Sequence, residues 1–375
     1  MDRIGIGIVG TGDIAPRYLD GIARSTRLRA LGCAGRSVER TRALADRFGI
    51  TAFDIAGLVA DPAVSIILNL TAPAQHARVS AEALQAGKHV YSEKPLATDP
   101  GQADALLTLA GERDRLLACA PATPLGPALQ TARRMIDAGA IGDVVGANAS
   151  VIYPGPELFH RRPSNLYAAG AGPLFDMAVY DVAALHFLLG PIARVAAAGR
   201  RMRDRRETLC GPDAGSTFAV EVPTHVAALL EFVSGPVATM TTSFDAVGGQ
   251  PAGLAIHGTH GALRLGRANQ FDATVEVAIV PGEWCPVEPT IAGWNEDLWI
   301  VGLLDLAAAI TERRAPHCSA DAARHVLAVL NAIEIALGGQ EWQAVGHPFT
   351  GAPPLGDDYY ETLREPSPAT LEATA

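Results

Sequence analysis

A glycine-rich turn lies near the amino terminus, directly after the apolar run Ile4–Val9. Residues 10–15 have the form G-x-G-x-x-A, which is typical of a strand that turns into a helix at a dinucleotide site. Gly10 permits a tight turn, Gly12 lets the backbone approach a pyrophosphate, and Ala15 lets the helix pack close to the strand. The N–H groups at the start of that helix then favour phosphates. The residues that we expect to border the dinucleotide in this turn are Gly10, Gly12, Asp13 and Ile14.

The end of the second apolar run distinguishes the two nicotinamide coenzymes. NAD sites usually carry an acidic residue there to bind the ribose hydroxyls, whereas the 2′-phosphate of NADP requires a cation. This chain has Gly35-Arg36-Ser37, and its first acidic residue, Glu39, comes only later. Arg36 and Ser37 therefore predict NADP as the favoured coenzyme, with NAD as the alternative. In a second interpretation, Arg36 stacks on the adenine or is solvated.

A lysine follows another strand-like run, His89–Tyr91. The sequence Glu93-Lys94-Pro95 places Lys94 at the carboxyl end of a strand, where sheets of this kind bind ligands. An ammonium group there can polarise a substrate oxygen, and Glu93 can position it. We therefore include Glu93 and Lys94 among the residues that face the coenzyme. The alternative is a surface ion pair in a loop.

Strands and amphipathic helices alternate through the first third of the chain. The predicted strands are Ile4–Val9, Leu28–Ala34, Val64–Leu70, His89–Tyr91 and Leu116–Cys119. The predicted helices between them are Val38–Phe48, Gln75–Ala86 and Gln102–Arg113. This alternation predicts an α/β fold with a doubly wound parallel sheet that has helices on both faces. We expect the nucleotide-binding domain to cover residues 1–121.

The pattern changes at a Pro- and Gly-rich stretch after Pro121, which marks the expected domain boundary. The predicted strands beyond it are Val144–Tyr153, His225–Val233, Val237–Phe244 and Leu254–His257. The predicted helices are Ala128–Ala138, Asp176–Leu189, Leu298–Arg313 and Ser319–Leu337. We expect residues 122–350 to form an α+β domain with a large, mostly antiparallel open sheet, followed by an irregular tail at 351–375.

Composition and charge exclude several kinds of partner. Of the 375 residues, 49% are hydrophobic and 19% charged, and the net charge is −10. This dispersed charge argues against a nucleic-acid partner, and we interpret the basic run Arg200–Arg206 as a solvated loop. Five scattered cysteines fit neither a disulfide framework nor a zinc site, so no metal is expected. No apolar segment reaches the length of a membrane span, so we expect a soluble, cytoplasmic protein.

Several motifs together resemble the glucose–fructose oxidoreductase/inositol dehydrogenase family (Gfo/Idh/MocA). They are the glycine turn at 10–15, Thr71-x-Pro73-x-x-His76, the segment 87–97 around Glu93-Lys94-Pro95, and Gly170–Tyr180. The resemblance covers nearly the whole chain. It implies a Rossmann domain followed by an α+β domain whose open sheet forms subunit contacts. A homo-oligomer, either a dimer or a tetramer, is therefore expected.

The resemblance also implies roles for individual side chains. Lys94 would hydrogen-bond the reacting hydroxyl or carbonyl oxygen. Asp176 would bind a neighbouring hydroxyl and orient the proton relay. Thr71, Pro73 and His76 would border the nicotinamide side of the coenzyme.

Two positions depart from the pattern of the family. Tyr180 stands where the family usually has a histidine, and Ala183 where it often has an aspartate. Asp176 and Tyr180 are four residues apart and are expected to share a helix face. A free phenol titrates near pH 10, against about 6.5 for imidazole, which makes it a weaker base at neutral pH. Our hypothesis is that Tyr180 moves the proton while Lys94 polarises the oxygen. In the alternative, Tyr180 only lines the pocket and Lys94 alone is the acid.

The segment 157–167 resembles the substrate loop of family branches that act on sugars. His160, Asn165 and Tyr167 are candidates for contacts with polyol hydroxyls, beside Lys94 and the Asp176/Tyr180 pair. For each loop residue, an ordinary polar role on the surface is the alternative.

The expected activity is an NAD(P)-dependent oxidation or reduction at a CH–OH or C=O group of a sugar, inositol or related polyol. The sequence leaves the direction of the reaction and the particular substrate open. Two other functions remain on the same fold. One is a coenzyme-sensing binding protein without turnover, and the other is a glycosidase-like enzyme in which bound NAD oxidises the substrate transiently.

Overall fold

A computed structural model describes residues 3–247, 253–289, 298–339, 341–346, 348–349 and 351–356. These residues divide into two compact units. The first contains the described residues up to Leu125 together with 298–324 and 353–356, and the second contains 126–289 and those between His325 and Ala352. The predicted tail at 351–375 falls outside the described residues from 357 onward.

The first unit contains a parallel sheet of six strands. They are β1 (Ile4–Val9), β2 (Leu28–Ala34), β3 (Thr51–Phe53), β4 (Ile66–Asn69), β5 (His89–Ser92) and β6 (Leu117–Cys119). Their order is β3-β2-β1-β4-β5-β6, which is the doubly wound arrangement of nucleotide-binding sheets. Every residue of β4 is buried, because the sheet is covered on both faces. The predicted α/β fold class is confirmed.

Five helices alternate with these strands. They are α1 (Ala15–Arg24), α2 (Val38–Phe48), α3 (Ile55–Ala60), α4 (Pro73–Gln85) and α5 (Pro100–Glu112). Ser37 caps the start of α2 by accepting a hydrogen bond from the Arg40 backbone N–H (3.2 Å), and Gly49 ends the helix in a left-handed conformation with φ of 63°. The short elements β3 and α3 had no counterpart in the sequence prediction.

A segment far along the chain completes the first unit. A 3₁₀ turn at Leu298–Ile300 packs against α1, and the helix that follows, Val301–Glu312, packs against β5 and β6. Gly302 allows this approach, since a Cβ there would lie 2.7 Å from the Tyr91 ring. The first segment of this unit ends at Leu125, and the return of 298–324 to this unit was not anticipated from the sequence.

The described residues of the second unit form a mixed sheet of nine strands. They are β7 (Val144–Ile152), β8 (Ile192–Arg200), β11 (His225–Phe232), β12 (Val237–Ser243), β13 (Gly253–Gly258), β14 (Ala262–Leu265), β15 (Val275–Ala278), β16 (Cys285–Pro286) and β17 (Gln343–Ala344). Their order is β16-β15-β14-β13-β7-β12-β11-β8-β17. Among these described strands β7 and β12 pair in parallel, and the other pairings are antiparallel. A separate hairpin pairs β9 (Arg205–Glu207) with β10 (Thr217–Ala219). The large, mostly antiparallel sheet is as predicted.

The helices of this part of the chain are α6 (Pro127–Asp137) and α7 (Val179–Leu189), which pack on each other. The helix at Val301–Glu312 is α8, and α9 covers Ala320–Leu337. The division of the chain into two units falls within α9, between Arg324 and His325. No helix among the described residues has both the length and the apolar character needed to cross a bilayer.

A carboxyl group is buried in α7. Asp181 is 0% exposed, and within the part of the chain that the structure describes neither of its oxygens has a hydrogen-bond partner. Burial disfavours the charged form and raises the pKa of Asp181 to about 8. In the unfolded chain an aspartate titrates near 3.9, so between these pH values unfolding ionises the group. The contribution of Asp181 to the free energy of unfolding therefore falls as the pH rises from about 4 to about 8.

The substitution Asp181→Asn replaces this carboxyl with a neutral group of the same shape. At pH 5 we expect the variant to be more stable than the natural protein by only about 1–2 kcal/mol, because Asp181 is still protonated in the folded state and the unfolded aspartate has only begun to contribute its ionisation. At pH 8 the variant should be more stable, by on the order of a few kcal/mol. Thermal unfolding at both pH values tests this. Parallel pH dependences for the two proteins would contradict a protonated Asp181.

Candidate active site

The glycine turn joins β1 to α1 and has two glycines in different surroundings. Gly10 has φ of +116°, and a Cβ there would lie 2.5 Å from the carbonyl carbon of Leu70. Gly12 has no atom within 4 Å of the corresponding position, so the space in front of it is open. Asp13 is exposed, and Ile14 precedes α1 without a side-chain cap. The turn thus leaves a cradle and helical N–H groups that fit a pyrophosphate.

The end of β2 lies beside this turn. A Cβ at Gly35 would approach the hydroxyl oxygen of Thr11 to 2.9 Å, so the Thr11 side chain packs closely on the end of this strand. Arg36 is exposed at this edge, and the hydroxyl of Ser37 is engaged as the cap of α2. The acidic residue Glu39 lies in the first turn of α2, away from the strand end.

The end of β4 is organised by a buried asparagine. The Asn69 amide donates to the His76 carbonyl and to the Ser80 hydroxyl, both at 3.0 Å. Its oxygen accepts the hydroxyl of Thr71 at 2.7 Å. Pro73 begins α4 and is exposed. The side chains of this loop are therefore held by bonds to one another.

His76 links the loop after β4 to the loop after β5. It is 1% exposed, with Nδ1 2.6 Å from the Pro95 carbonyl oxygen and Nε2 2.9 Å from the Thr71 carbonyl oxygen. Both ring nitrogens are thus engaged by the backbone. His76 therefore holds two loops together, and the predicted position beside the coenzyme stays a prediction for Thr71, Pro73 and His76.

Lys94 follows β5 in a turn that Glu93 anchors. The Glu93 backbone N–H donates to the Asn69 carbonyl at 2.9 Å. One oxygen of its carboxylate accepts the Tyr18 hydroxyl at 2.7 Å, and the other accepts the Lys94 backbone N–H at 3.0 Å. The Lys94 side chain is half-buried. The carboxylate therefore fixes the peptide that carries the lysine.

The lysine content of the chain is a signal that the sequence analysis did not use. Of the 30 basic residues only Lys88 and Lys94 are lysines, and the rest are arginines. Lys88 is structural, because its ammonium donates to the carbonyls of Asp61 and Val64 at 2.7 Å. An arginine is larger and planar and keeps its proton, so Lys94 presents a compact ammonium group that an arginine would not provide.

In the second unit, Asp176 lies in a turn of π-helix, Leu174–Ala178, that leads into α7. Gly170 and Gly172, with φ of 77° and 81°, form the preceding loop, and the Thr242 hydroxyl holds it by donating to the Pro173 carbonyl at 3.1 Å. Asp176 and Tyr180 are both half-buried. The predicted spacing of four residues on a regular helix face is therefore modified by a π turn, a feature that often occurs at functional sites.

Tyr153 is a further candidate for the site, and the sequence analysis did not include it. It follows β7, its N–H donates to the Ser243 carbonyl at 3.1 Å, and its ring packs edge-on against Phe244 with centroids 5.2 Å apart. Burial, followed by the charges of Asp176 and Glu157, raises the pKa of Tyr153. Its phenol is thus a neutral donor close to Asp176. Its position at the end of a predicted strand was the available signal.

The predicted substrate loop is held by a buried ion network. Tyr167 is 0% exposed, and its hydroxyl donates to the Glu157 carboxylate. Arg206 bonds the carboxylates of Glu157 and Asp245 and the Phe244 carbonyl (2.8 Å). Removing one partner of such a buried pair costs about 3–5 kcal/mol. Arg206 is 5% exposed, so the interpretation of Arg200–Arg206 as a solvated loop is wrong for this residue.

The other loop candidates lie nearer the surface. Asn165 is exposed, and His160 is half-buried with Nδ1 accepting the Arg162 backbone N–H at 3.2 Å. Their contacts with a substrate stay predictions. Tyr167 differs from them, since the structure directs its hydroxyl to Glu157. Within the described residues, no three His, Cys, Asp or Glu side chains come together in a group that could hold a metal ion.

Comparisons with known proteins agree with this architecture. Residues 4–120 match the model of the oxidoreductase family with an NAD-binding Rossmann fold, and residues 129–264 match the GFO/IDH/MocA C-terminal domain. A dTDP-3,4-didehydro-2,6-dideoxy-alpha-D-glucose 3-reductase of Streptomyces violaceoruber is 33% identical over 70% of this chain and 72% of its own length. An inositol 2-dehydrogenase of Rhizobium meliloti is 25% identical over 74% and 79%.

Solved structures share the fold. A levoglucosan dehydrogenase in complex with NADH and levoglucosan superposes with a TM-score of 0.80 at 21% identity, over 92% of this chain and all of that one. An NAD binding oxidoreductase from Klebsiella pneumoniae has the same TM-score at 23% identity, with the same coverage of both chains. The parallel sheet, the glycine turn and the matched models define an NAD(P)-binding oxidoreductase. The chain belongs to the GFO/IDH/MocA family.

The two glycines of the turn give a matched test of the coenzyme cradle. Gly12→Ala should leave the melting temperature unchanged, because the new Cβ meets no protein atom within 4 Å. The same substitution should weaken coenzyme binding by at least about tenfold, because the Cβ occupies the space that the pyrophosphate would enter. Gly10→Ala should lower the melting temperature, because its Cβ collides with the Leu70 carbonyl. Thermal unfolding and fluorescence titration with NADPH and NADH measure both effects. Normal coenzyme affinity in Gly12→Ala would place the pyrophosphate elsewhere.

Proposed function

We propose that the protein transfers a hydride between nicotinamide C4 of NADP(H) or NAD(H) and a hydroxyl- or carbonyl-bearing carbon of a sugar, inositol or related polyol. Its relatives support this substrate class, because their names are those of a deoxysugar 3-reductase, a 1,5-anhydro-D-fructose reductase and an inositol 2-dehydrogenase. The observation that carries the proposal is Lys94, one of two lysines in the chain, fixed by Glu93 at the carboxyl end of β5.

Each proposed catalytic residue has a separate role. When bound, the nicotinamide supplies or accepts the hydride. The Lys94 ammonium donates a hydrogen bond to the reacting oxygen and stabilises the negative charge that develops there. Asp176 accepts a neighbouring hydroxyl, and Tyr180 exchanges the proton with the reacting oxygen. In the alternative mechanism, Lys94 itself exchanges that proton and Tyr180 lines the pocket.

The second unit supplies further groups for a polyol. Tyr153 is a neutral hydroxyl donor beside Asp176, so the pair offers both a donor and an acceptor to adjacent hydroxyls. His160 and Asn165 are proposed to contact the more distant hydroxyls. Tyr167 is proposed to act indirectly, because its bond to Glu157 holds the loop that carries these residues.

We further propose that NADP is the preferred coenzyme. Arg36 is exposed at the end of β2, and the nearest acidic residue along the chain, Glu39, lies in the first turn of α2. Thr71 and Pro73 are proposed to border the nicotinamide side from the loop after β4.

The proposed assembly is a homo-oligomer, a dimer or tetramer, formed through the nine-stranded sheet. One face of this sheet exposes Leu229 and Val237, and beside them the Asn148 amide bonds the Thr239 hydroxyl (2.5 Å) and the His257 ring (2.7 Å). An ordered face that combines apolar and polar groups in this way is suited to an interface.

Variants of Lys94 and Tyr180 test the proposed chemistry. The protein is incubated with NADP⁺ and NAD⁺ against a panel of sugars, inositols and sugar acids, and absorbance at 340 nm is followed. Lys94→Ala should lower kcat by about 10²–10³-fold, because the developing charge loses its donor. Tyr180→Phe should lower kcat by about 10²-fold if the phenol moves the proton.

The outcomes separate the alternatives. Near-normal kcat in Tyr180→Phe would assign the proton to Lys94 alone. Coenzyme binding without turnover of any substrate would indicate a sensor. Cleavage of glycosides without release of reduced coenzyme would indicate transient oxidation. Unchanged melting temperatures of both variants, together with an unchanged coenzyme affinity of Tyr180→Phe, serve as the control for folding.

Arg36→Ala tests the coenzyme preference. We expect the Kd for NADPH to rise at least about tenfold, because a charge-assisted bond to the 2′-phosphate is lost, while the Kd for NADH changes little. Arg42→Ala is a matched control, since it removes an exposed arginine from α2 itself. A natural protein that prefers NADH would contradict the assignment of Arg36.

A further inference from the structure

We propose that Tyr18 is a positioning residue for Lys94 and acts on it through the Glu93 carboxylate. Tyr18 lies on α1, the helix that begins at the glycine turn, and is 1% exposed. Its hydroxyl and the Lys94 backbone N–H bind opposite oxygens of Glu93, at 2.7 and 3.0 Å. The carboxylate therefore connects the helix of the coenzyme cradle to the peptide of the lysine. The catalytic consequence rests on the proposed role of Lys94.

The packing around Tyr18 directs its hydroxyl to Glu93. The ring meets Tyr91 edge to face with centroids 6.3 Å apart, and Trp299 in the same manner at 6.5 Å. A Cβ at Gly21 would lie 2.5 Å from Ile300, so the turn that carries Trp299 is pressed closely onto α1. A tyrosine whose ring is packed on two sides by other rings loses little further side-chain conformational entropy when its hydroxyl forms a hydrogen bond. The donor is thus oriented before any ligand binds.

The hydrogen bonds of Glu93 connect the predicted coenzyme site at the start of α1 with Lys94. The start of α1 is the predicted pyrophosphate site, and Tyr18 lies one helical turn beyond it. A coenzyme that fixes this end of α1 also fixes the donor that holds Glu93. Because Glu93 has its second oxygen on the Lys94 peptide, Lys94 is aligned with the bound coenzyme through two hydrogen bonds.

The two lysines allow a test that does not depend on turnover. The full chain is pulse-labelled at pH 8 with sulfo-N-hydroxysuccinimide acetate, and acetylation of Lys94 and Lys88 is measured by peptide mass spectrometry. Lys88 is an internal reference, because its ammonium is held by the Asp61 and Val64 carbonyls. Tyr18→Phe should raise the Lys94:Lys88 labelling ratio about fivefold, since the turn loses one of the two bonds made by Glu93.

Combining Tyr18→Phe with a substitution of Glu93 shows whether Tyr18 acts on Lys94 through the Glu93 carboxylate. In Glu93→Ala the Lys94:Lys88 labelling ratio should already be raised. Adding Tyr18→Phe should change the ratio no further, because the carboxylate that connects Tyr18 to the Lys94 peptide is already absent. Glu93→Gln, which keeps one acceptor oxygen, should give an intermediate ratio in a protein with a near-normal melting temperature. Tyr167→Phe removes a tyrosine–glutamate bond of the same kind in the second unit and should leave the ratio unchanged.

Two results would overturn the proposal. One is an unchanged labelling ratio in Tyr18→Phe, and the other is an equal rise in the natural and Glu93→Ala backgrounds, which would mean that Tyr18 acts by packing alone. Once a substrate is known, Tyr18→Phe should lower kcat while the Kd for coenzyme stays within about twofold, since the cradle itself is intact. Absence of any redox activity would contradict the proposed function, yet the labelling result would still stand.

Discussion

The close approach of the Gly10 turn to the Leu70 carbonyl is the constraint on which the first unit depends. No side chain fits between them, so the loops after β1 and β4 are in direct backbone contact. His76 then ties the loop after β4 to the one after β5, and Glu93 returns the connection to α1 through Tyr18. The loops at this edge of the sheet are therefore connected to one another and back to α1 by a continuous series of contacts. Such contacts keep an edge that binds ligands rigid although it is made of loops.

In the second unit, a loop is held rigid by buried charged side chains. The proposed substrate loop has little regular structure, and Arg206 holds it by bonding the carboxylates of Glu157 and Asp245 at once. Two carboxylates around one guanidinium leave an excess of negative charge, which the hydroxyls of Tyr167 and Thr224 offset by donating to them. The network is costly to build and strongly destabilising to break, so it fixes one conformation of the loop.

Local sequence patterns predicted the regular elements well and the long-range bonds poorly. The bounds of β1, β2 and α2 agree residue for residue with the predicted Ile4–Val9, Leu28–Ala34 and Val38–Phe48, because apolar periodicity and caps are local signals. The three-residue strand β3 has only partly buried or exposed residues and gave no such signal. The bond from Tyr18 to Glu93 spans 75 positions, and no periodicity records it. The π turn at Asp176 is likewise a product of tertiary packing, since its residues read as ordinary helix.

The two units share one kind of contact that holds the backbone near the candidate site residues. Glu93 divides its oxygens between the Tyr18 hydroxyl and a backbone N–H, and Glu157 divides its own between the Tyr167 hydroxyl and a guanidinium. A tyrosine suits this task because its ring fills the core while its hydroxyl donates to the carboxylate. A bond to a charged acceptor contributes about 1.5–3 kcal/mol, more than a neutral one. In each unit, a carboxylate thus fixes the backbone beside residues that are proposed to act on the substrate.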